Sequence, residues 1–241
     1  PAVSGPDQRR AARAAARPIV GAHLALSAAS ARLPIGMAGE PTGAVIVGSG
    51  RPIVDNRPVL RSVVREARPR QWVKNVLVFA APGAAGVLDN GGHVVRTLVT
   101  FVCLCLAASG TYYWNDILDV ANDRLHPTKR HRPVASGALP IGLAGVLGTV
   151  FLAGGVGLAF ALNWQTGLTV AGYVALTTVY STVLKHVAVL DLVGVALGFL
   201  LRAIAGGTAN DIMLSRWFLL ATAFGSLFIV TGKRYAEMRE F

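Results

Sequence analysis

Residues 94–123 read VVRTLVTFVCLCLAASGTYYWNDILDVAND. The run from Val94 to Trp114 is almost wholly apolar or small, and roughly 20 such residues span the hydrocarbon of a bilayer. Asn115, Asp116, Asp119 and Asp123 follow at once. A span that ends on carboxylates sets the frame for the rest of the chain.

Working outward, apolar stretches of similar length recur at 73–88, 138–161, 167–184, 187–208 and 216–232. With 94–114 they predict an all-α, polytopic transmembrane bundle of about six spans. The first stretch is short and carries Pro82 and Gly83, so a broken or tilted element is expected there. Hydrophobic residues make up 53% of the 241 and charged ones 15%; soluble domains carry nearer a quarter. The 27 glycines suit membrane helices, which pack closely without a hydrophobic drive between them.

The net charge of +11 is unevenly spread. Residues 1–70 hold 11 basic and 4 acidic side chains, whereas residues 71–241 hold 12 and 8. Much of the basicity therefore belongs to a tail, which removes the main support for nucleic-acid binding. Residues 1–66, rich in Ala, Arg, Gly and Pro, read as a disordered basic tail, with a short basic helix or a transit-peptide-like segment as alternatives. Such a tail also suits anionic lipid. Residues 67–241 form the membrane domain. Cys103 and Cys105 read as small membrane residues, since two thiols two apart share no helix face. Pro1 in place of Met, and an end just after a charged turn, suggest a fragment. A homo-oligomer is compatible with the composition.

The connections fall into two alternating kinds. Segments 89–93, 163–166 and 209–215 are weakly charged; Arg68–Lys74, Arg124–Arg132, Lys185–His186 and Lys233–Arg239 are basic. The positive-inside rule places the basic set and the amino terminus in the cytoplasm, with the bundle in the plasma (inner) membrane.

If the second helix continues through the polar residues, Asn115, Asp116, Asp119 and Asp123 share one stripe. Three carboxylates there repel one another unless a cation lies among them, and hard oxygen ligands suit Mg²⁺ shared with substrate phosphates. The competing reading is a solvated helix cap with surface ion pairs. Lys129, Arg130 and Arg132 follow between Pro127 and Pro133, as phosphate donors, as a topological anchor, or as both. Asp191 and Arg202 lie in the fifth span; Arg202 reads as snorkelling to the outer surface. Lys185 and His186 read either as diphosphate contacts or as interfacial anchors. Tyr112, Tyr113 and Trp114 read as an aromatic belt.

The pattern Asn-Asp-x-x-Asp-x-x-x-Asp at 115–123, with His126-Pro127-Thr128-Lys129-Arg130 and Arg132-Pro133, resembles the first aspartate-rich motif of the UbiA superfamily of intramembrane prenyltransferases. Arg68 to Asn75, Arg202 to Gly207 and Gly232 to Glu237 are similar to the branch that moves phosphoribose from phosphoribosyl pyrophosphate (PRPP) onto decaprenyl phosphate in actinobacterial cell-wall synthesis. The resemblance implies a nine-helix fold, of which about three helices would follow Phe241. It implies that Asn115, Asp116, Asp119 and Asp123 hold Mg²⁺ and that the three aspartates are catalytic. It implies that Lys74 and Asn75 form an entrance motif, and that Lys129, Arg130 and Arg132 clamp phosphate. Lys233, Arg234 and Glu237 stand where prenyl-diphosphate users carry a second aspartate-rich motif, and two cations there suit a second phosphate. PRPP, a polyprenyl phosphate and the bilayer are then the partners. Two other readings remain: a prenyltransferase acting on an aromatic or haem acceptor, and a non-catalytic lipid-binding or transport protein.

Overall fold

The computed structural model describes residues 59–182 and 188–239, and among these every regular element is helical. Residues 1–58 of the expected tail lie outside the described residues. Val59–Glu66, which composition groups with that tail, is instead a helix (α1) joined to the bundle. Its Ser62 and Glu66 are buried, and the Val63 carbonyl accepts the Tyr113 hydroxyl at 2.7 Å.

The stretch expected at 73–88 is not one spanning helix. It divides into a 3-10 segment, Pro69–Phe79, and a short helix, Ala80–Ala84 (α2). The other five stretches are single helices: Gly91–Leu118 (α3), Ile141–Leu162 (α5), Trp164–Thr182 (α6), Ala188–Ala209 (α7) and Arg216–Arg239 (α8). Val120–Leu125 (α4) is a short continuation of α3. Three described helices, Gly91–Leu118, Ile141–Leu162 and Val189–Ala209, are long and apolar enough to cross a membrane by length and composition. That is fewer than six because the first stretch is broken, charged residues bound the apolar part of α8, and Gln165 with several Thr and Tyr residues makes α6 less apolar.

Helices α3 and α5 meet backbone to backbone. A Cβ on Gly110 would lie 2.8 Å from the Gly148 carbonyl oxygen, and one on Gly155 would lie 2.7 Å from that of Cys103. Association here comes from close packing, because lipid is as apolar as the side chains it replaces. Leu104, Val170, Tyr173 and Ala205 share a core with Val78 of the 3-10 segment. That segment lies on α7 so tightly that a Cβ on Gly206 would sit 1.8 Å from the Val78 oxygen. Gly206→Ala should therefore cost several kcal/mol, because backbone must move. Thermal unfolding in detergent checks it; a melting temperature within a degree of wild type contradicts the packing.

The two kinds of connection separate to opposite ends. At one end Asn210 donates to Thr97 at 2.9 Å, and Asn163 donates to the Thr208 carbonyl at 2.8 Å. Arg96 donates to Asp211 there at 2.9 Å. Arg68, Asp116, Asp123 and Arg132 gather at the other end.

Candidate functional site

The polar motif is carried across a helix break. Helix α3 ends at Leu118 and α4 begins at Val120, with Asp119 capping both. The backbone still bonds with helical spacing, Asp119 N–H to Asn115 at 2.9 Å and Asp123 N–H to Asp119 at 2.8 Å. Register is kept even though one unbroken helix is not.

Asp116 and Asp123 are 3% and 2% exposed, and both are held by arginines. Arg68 donates through Nη2 to both oxygens of Asp116 at 2.7 Å. Arg132 bridges Asp116 Oδ1 at 3.1 Å and Asp123 Oδ2 at 2.7 Å. These buried pairs exclude a solvated cap. Two guanidiniums balance two carboxylates, and each charge would be costly alone. Arg68 reaches Asp116 from a left-handed backbone, φ 52°, just before Pro69, a conformation that surrounding contacts must hold. Its guanidinium also lies 4.7 Å from the centre of the Tyr112 ring.

Glu66 completes the cluster. It is fully buried, no donor reaches its carboxylate oxygens, and only its protonated form can hydrogen-bond the neighbouring Asp116. Burial first, and the neighbouring Asp116 carboxylate second, push its pKa up to about 9. The folded acid thus keeps its proton through an interval where the unfolded one, near 4.5, has lost it. The folded state binds more protons there, so stability falls as pH rises from about 5 towards 9. Glu66→Gln mimics the neutral acid and should flatten that fall, matching wild type near pH 5 and exceeding it at pH 8.5. Parallel pH profiles in thermal unfolding would contradict this.

Lys129 and Arg130 are exposed in a 3-10 turn, Lys129–His131, so only Arg132 of the basic loop reaches the carboxylates. Asp119 is half-buried at the helix break. Asn115 accepts from the Ser181 hydroxyl at 3.2 Å and faces a cavity of about 210 Å³ between the 3-10 segment, α3, α6 and α7. Lys74, Tyr173, Thr177 and Arg202 also line it. Asn75 does not: it is fully buried, giving Nδ2 to the Cys105 sulfur at 3.2 Å and taking Arg202 Nε on Oδ1 at 2.8 Å. Lys233 is exposed on α8, and Arg234 pairs with buried Asp191, which also accepts from Tyr180 at 2.5 Å. Lys185 and His186, and the side chain of Glu237, lie outside the described residues.

Several functional candidates escape a reading by pattern. Arg202 does not snorkel; it is 7% exposed and bonded within the bundle. Tyr113 is fully buried and Tyr112 lines the cavity, so neither forms a belt, while Trp114 is 38% exposed. The only sequence signals for these were polar or aromatic residues within apolar stretches.

As a group of oxygen donors, Asn115, Asp116, Asp119 and Asp123 have the chemistry of a Mg²⁺ site. Their arrangement is that of an arginine-bridged cluster: among the described residues no three acidic, histidine or cysteine side chains are gathered to hold a metal ion. Arg132 occupies the bridging position between Asp116 and Asp123.

The helical bundle, with its charged cluster at one end and beside it a cavity lined in part by Lys74 and Arg202, is that of a multi-pass membrane protein. The chain belongs to the UbiA prenyltransferase family, which matches residues 76–240. Decaprenyl-phosphate phosphoribosyltransferase of Mycobacterium tuberculosis is 49% identical over 188 residues, 75% of this chain and 61% of that protein. The Mycolicibacterium smegmatis protein of the same name is 46% identical over 185 residues, covering 75% and 58%. The chain thus spans about three fifths of the length of these relatives. A UbiA homologue from Archaeoglobus fulgidus, solved with GPP and Mg²⁺, superposes with a TM-score of 0.58 at 24% identity, covering 69% of this chain and 60% of that one. That likeness shows the shared fold.

Proposed function

We propose that the protein transfers 5-phosphoribose from PRPP to a polyprenyl phosphate, decaprenyl phosphate by analogy with its named relatives, and releases diphosphate. The observation that carries this reading is the 46–49% identity to decaprenyl-phosphate phosphoribosyltransferases over three quarters of the chain. A cavity lined by Lys74 and Arg202 beside the Asp116 cluster supports it, because both substrates are phosphates. A place in cell-wall arabinan precursor synthesis is part of the same proposal, and rests on the resemblance of Arg68 to Asn75 and Gly232 to Glu237 to that branch.

The chemistry follows from charge. As the C1–O bond of PRPP breaks, negative charge grows on the departing diphosphate and positive charge on the ribose. Mg²⁺, held by Asn115, Asp116, Asp119 and Asp123, would supply electrostatic stabilisation of that leaving group. Arg132 must then exchange its carboxylates for phosphate oxygens, which a guanidinium binds equally well in pairs. Lys129 and Arg130, exposed on the same loop, add charge on the approach, and Lys185, Lys233 and Arg234 supply further cations for phosphate, with Glu237 following on α8. The lipid phosphate is already an anion and needs positioning rather than a general base. Residues 67–241 act as the membrane domain with the basic end in the cytoplasm, at the plasma membrane, where PRPP is dissolved.

Donor preference tests the reading. Membranes holding the full-length protein and decaprenyl phosphate should release diphosphate with PRPP and not with geranyl diphosphate plus an aromatic acceptor. The reverse preference would make it a prenyltransferase.

A further inference from the structure

Arg202 stands well inside the bundle. It lies eleven residues beyond Asp191 on α7, roughly 16 Å along the axis at the helical rise. It is 7% exposed, and among the described residues no carboxylate pairs with it. A charge at such depth is costly unless something offsets it. Three neutral acceptors hold it: Asn75 Oδ1 takes Nε at 2.8 Å, the Gly198 carbonyl takes Nη1 at 2.7 Å, and the Tyr173 hydroxyl takes Nη2 at 2.9 Å. The Tyr173 and Phe199 rings flank it at 4.7 and 5.6 Å. These contacts fix the fork but leave its charge uncompensated, and use three of its five donors.

Both remaining N–H groups belong to the two terminal nitrogens, on a residue that lines the cavity of about 210 Å³. That space far exceeds the roughly 10–15 Å³ one water requires. Lys74 lines it too, and no described lining residue is acidic. The cavity extends along α3 from Ala108 to Asn115, roughly 10 Å at the helical rise, with buried Arg202 in its wall, exposed Lys74 at its edge and the carboxylate motif adjoining Asn115.

The geometry points to Arg202, assisted by Lys74, as the receptor for a phosphate monoester bound deep in this cavity, with Asn75 as the positioning residue that aims the guanidinium. This deepens the proposed reaction, on whose phosphate substrates it rests, and moves the second phosphate from the Lys233–Arg234 pair on α8 to the bundle interior. The phosphate belongs either to the sugar, at its 5-position, or to the lipid acceptor.

Binding to the full-length protein in detergent tests it without requiring turnover. Ribose 5-phosphate and decaprenyl phosphate are titrated separately, following tryptophan fluorescence and melting temperature, on wild type, Arg202→Gln and Asn75→Asp. Asn75→Asp keeps an acceptor for Nε while placing a carboxylate against the guanidinium, so the net charge is cancelled at the loss of the donor to Cys105, and the melting temperature without ligand reports whether the fold is kept. Both variants should weaken one ligand by at least about tenfold. Weakening of ribose 5-phosphate assigns the site to the sugar phosphate; weakening of the lipid assigns it to the acceptor head group. If wild type binds neither ligand, or Asn75→Asp binds both as wild type does, Arg202 only braces the bundle and the proposal fails. Loss of transfer from PRPP in the wild-type protein, with ligand binding intact, would defeat the proposed reaction and leave this site standing.

Discussion

Asp116→Ala should reduce phosphoribosyl transfer at least about a thousandfold, the scale of losing a preorganised electrostatic contact to a departing group. The variant removes the one carboxylate that Arg68 and Arg132 share. Arg68 then loses its carboxylate partner among the described residues, while Arg132 keeps Asp123. Each is 29% exposed, so water screens part of the penalty, and a loss of roughly 3 kcal/mol of stability is expected. Activity and melting temperature should therefore fall together. Asp119→Ala separates the two effects, because Asp119 is half-buried and outside the arginine bridges: its activity should fall while its melting temperature stays. Equal activity of Asp116→Ala and wild type in a membrane assay would remove this cluster from the chemistry.

Arg132→Lys should lower transfer roughly tenfold to a hundredfold. The wild-type guanidinium reaches Asp116 at 3.1 Å and Asp123 at 2.7 Å through a single nitrogen, while its planar fork leaves further donors for phosphate. An ammonium retains the charge but cannot present two parallel donors to one phosphate. The loss should appear mainly in KM for PRPP if Arg132 binds the ground state, and in kcat if the contact strengthens as the bond breaks. Full activity of Arg132→Lys would show that charge alone suffices.

Composition and spacing made the helical class legible, because apolar length is a local property of the chain. The positions of Asp116 and Asp123 in one cluster were legible for the same reason: helical spacing survives the break at Asp119. What composition could not show depends on partners distant in sequence. Arg202 looks like a snorkelling cation until Asn75, 127 residues earlier, is seen to accept from it. Tyr113 looks interfacial until the Val63 carbonyl, 50 residues earlier, is found over its hydroxyl. Arg68 gives no local hint of its reach to Asp116, 48 residues on. The break expected in the first apolar stretch takes a form that hydropathy does not show, because hydropathy does not distinguish an α-helix from a 3-10 segment, and Gly206 is what admits that segment against α7.

The most direct measurement follows labelled PRPP into the lipid fraction, using membranes that express the full-length protein, with decaprenyl phosphate and Mg²⁺ supplied. Labelled lipid should form, vanish with EDTA, return with added Mg²⁺, and be absent with Asp119→Ala. Prenyl transfer from a polyprenyl diphosphate, with no label reaching lipid from PRPP, would contradict it.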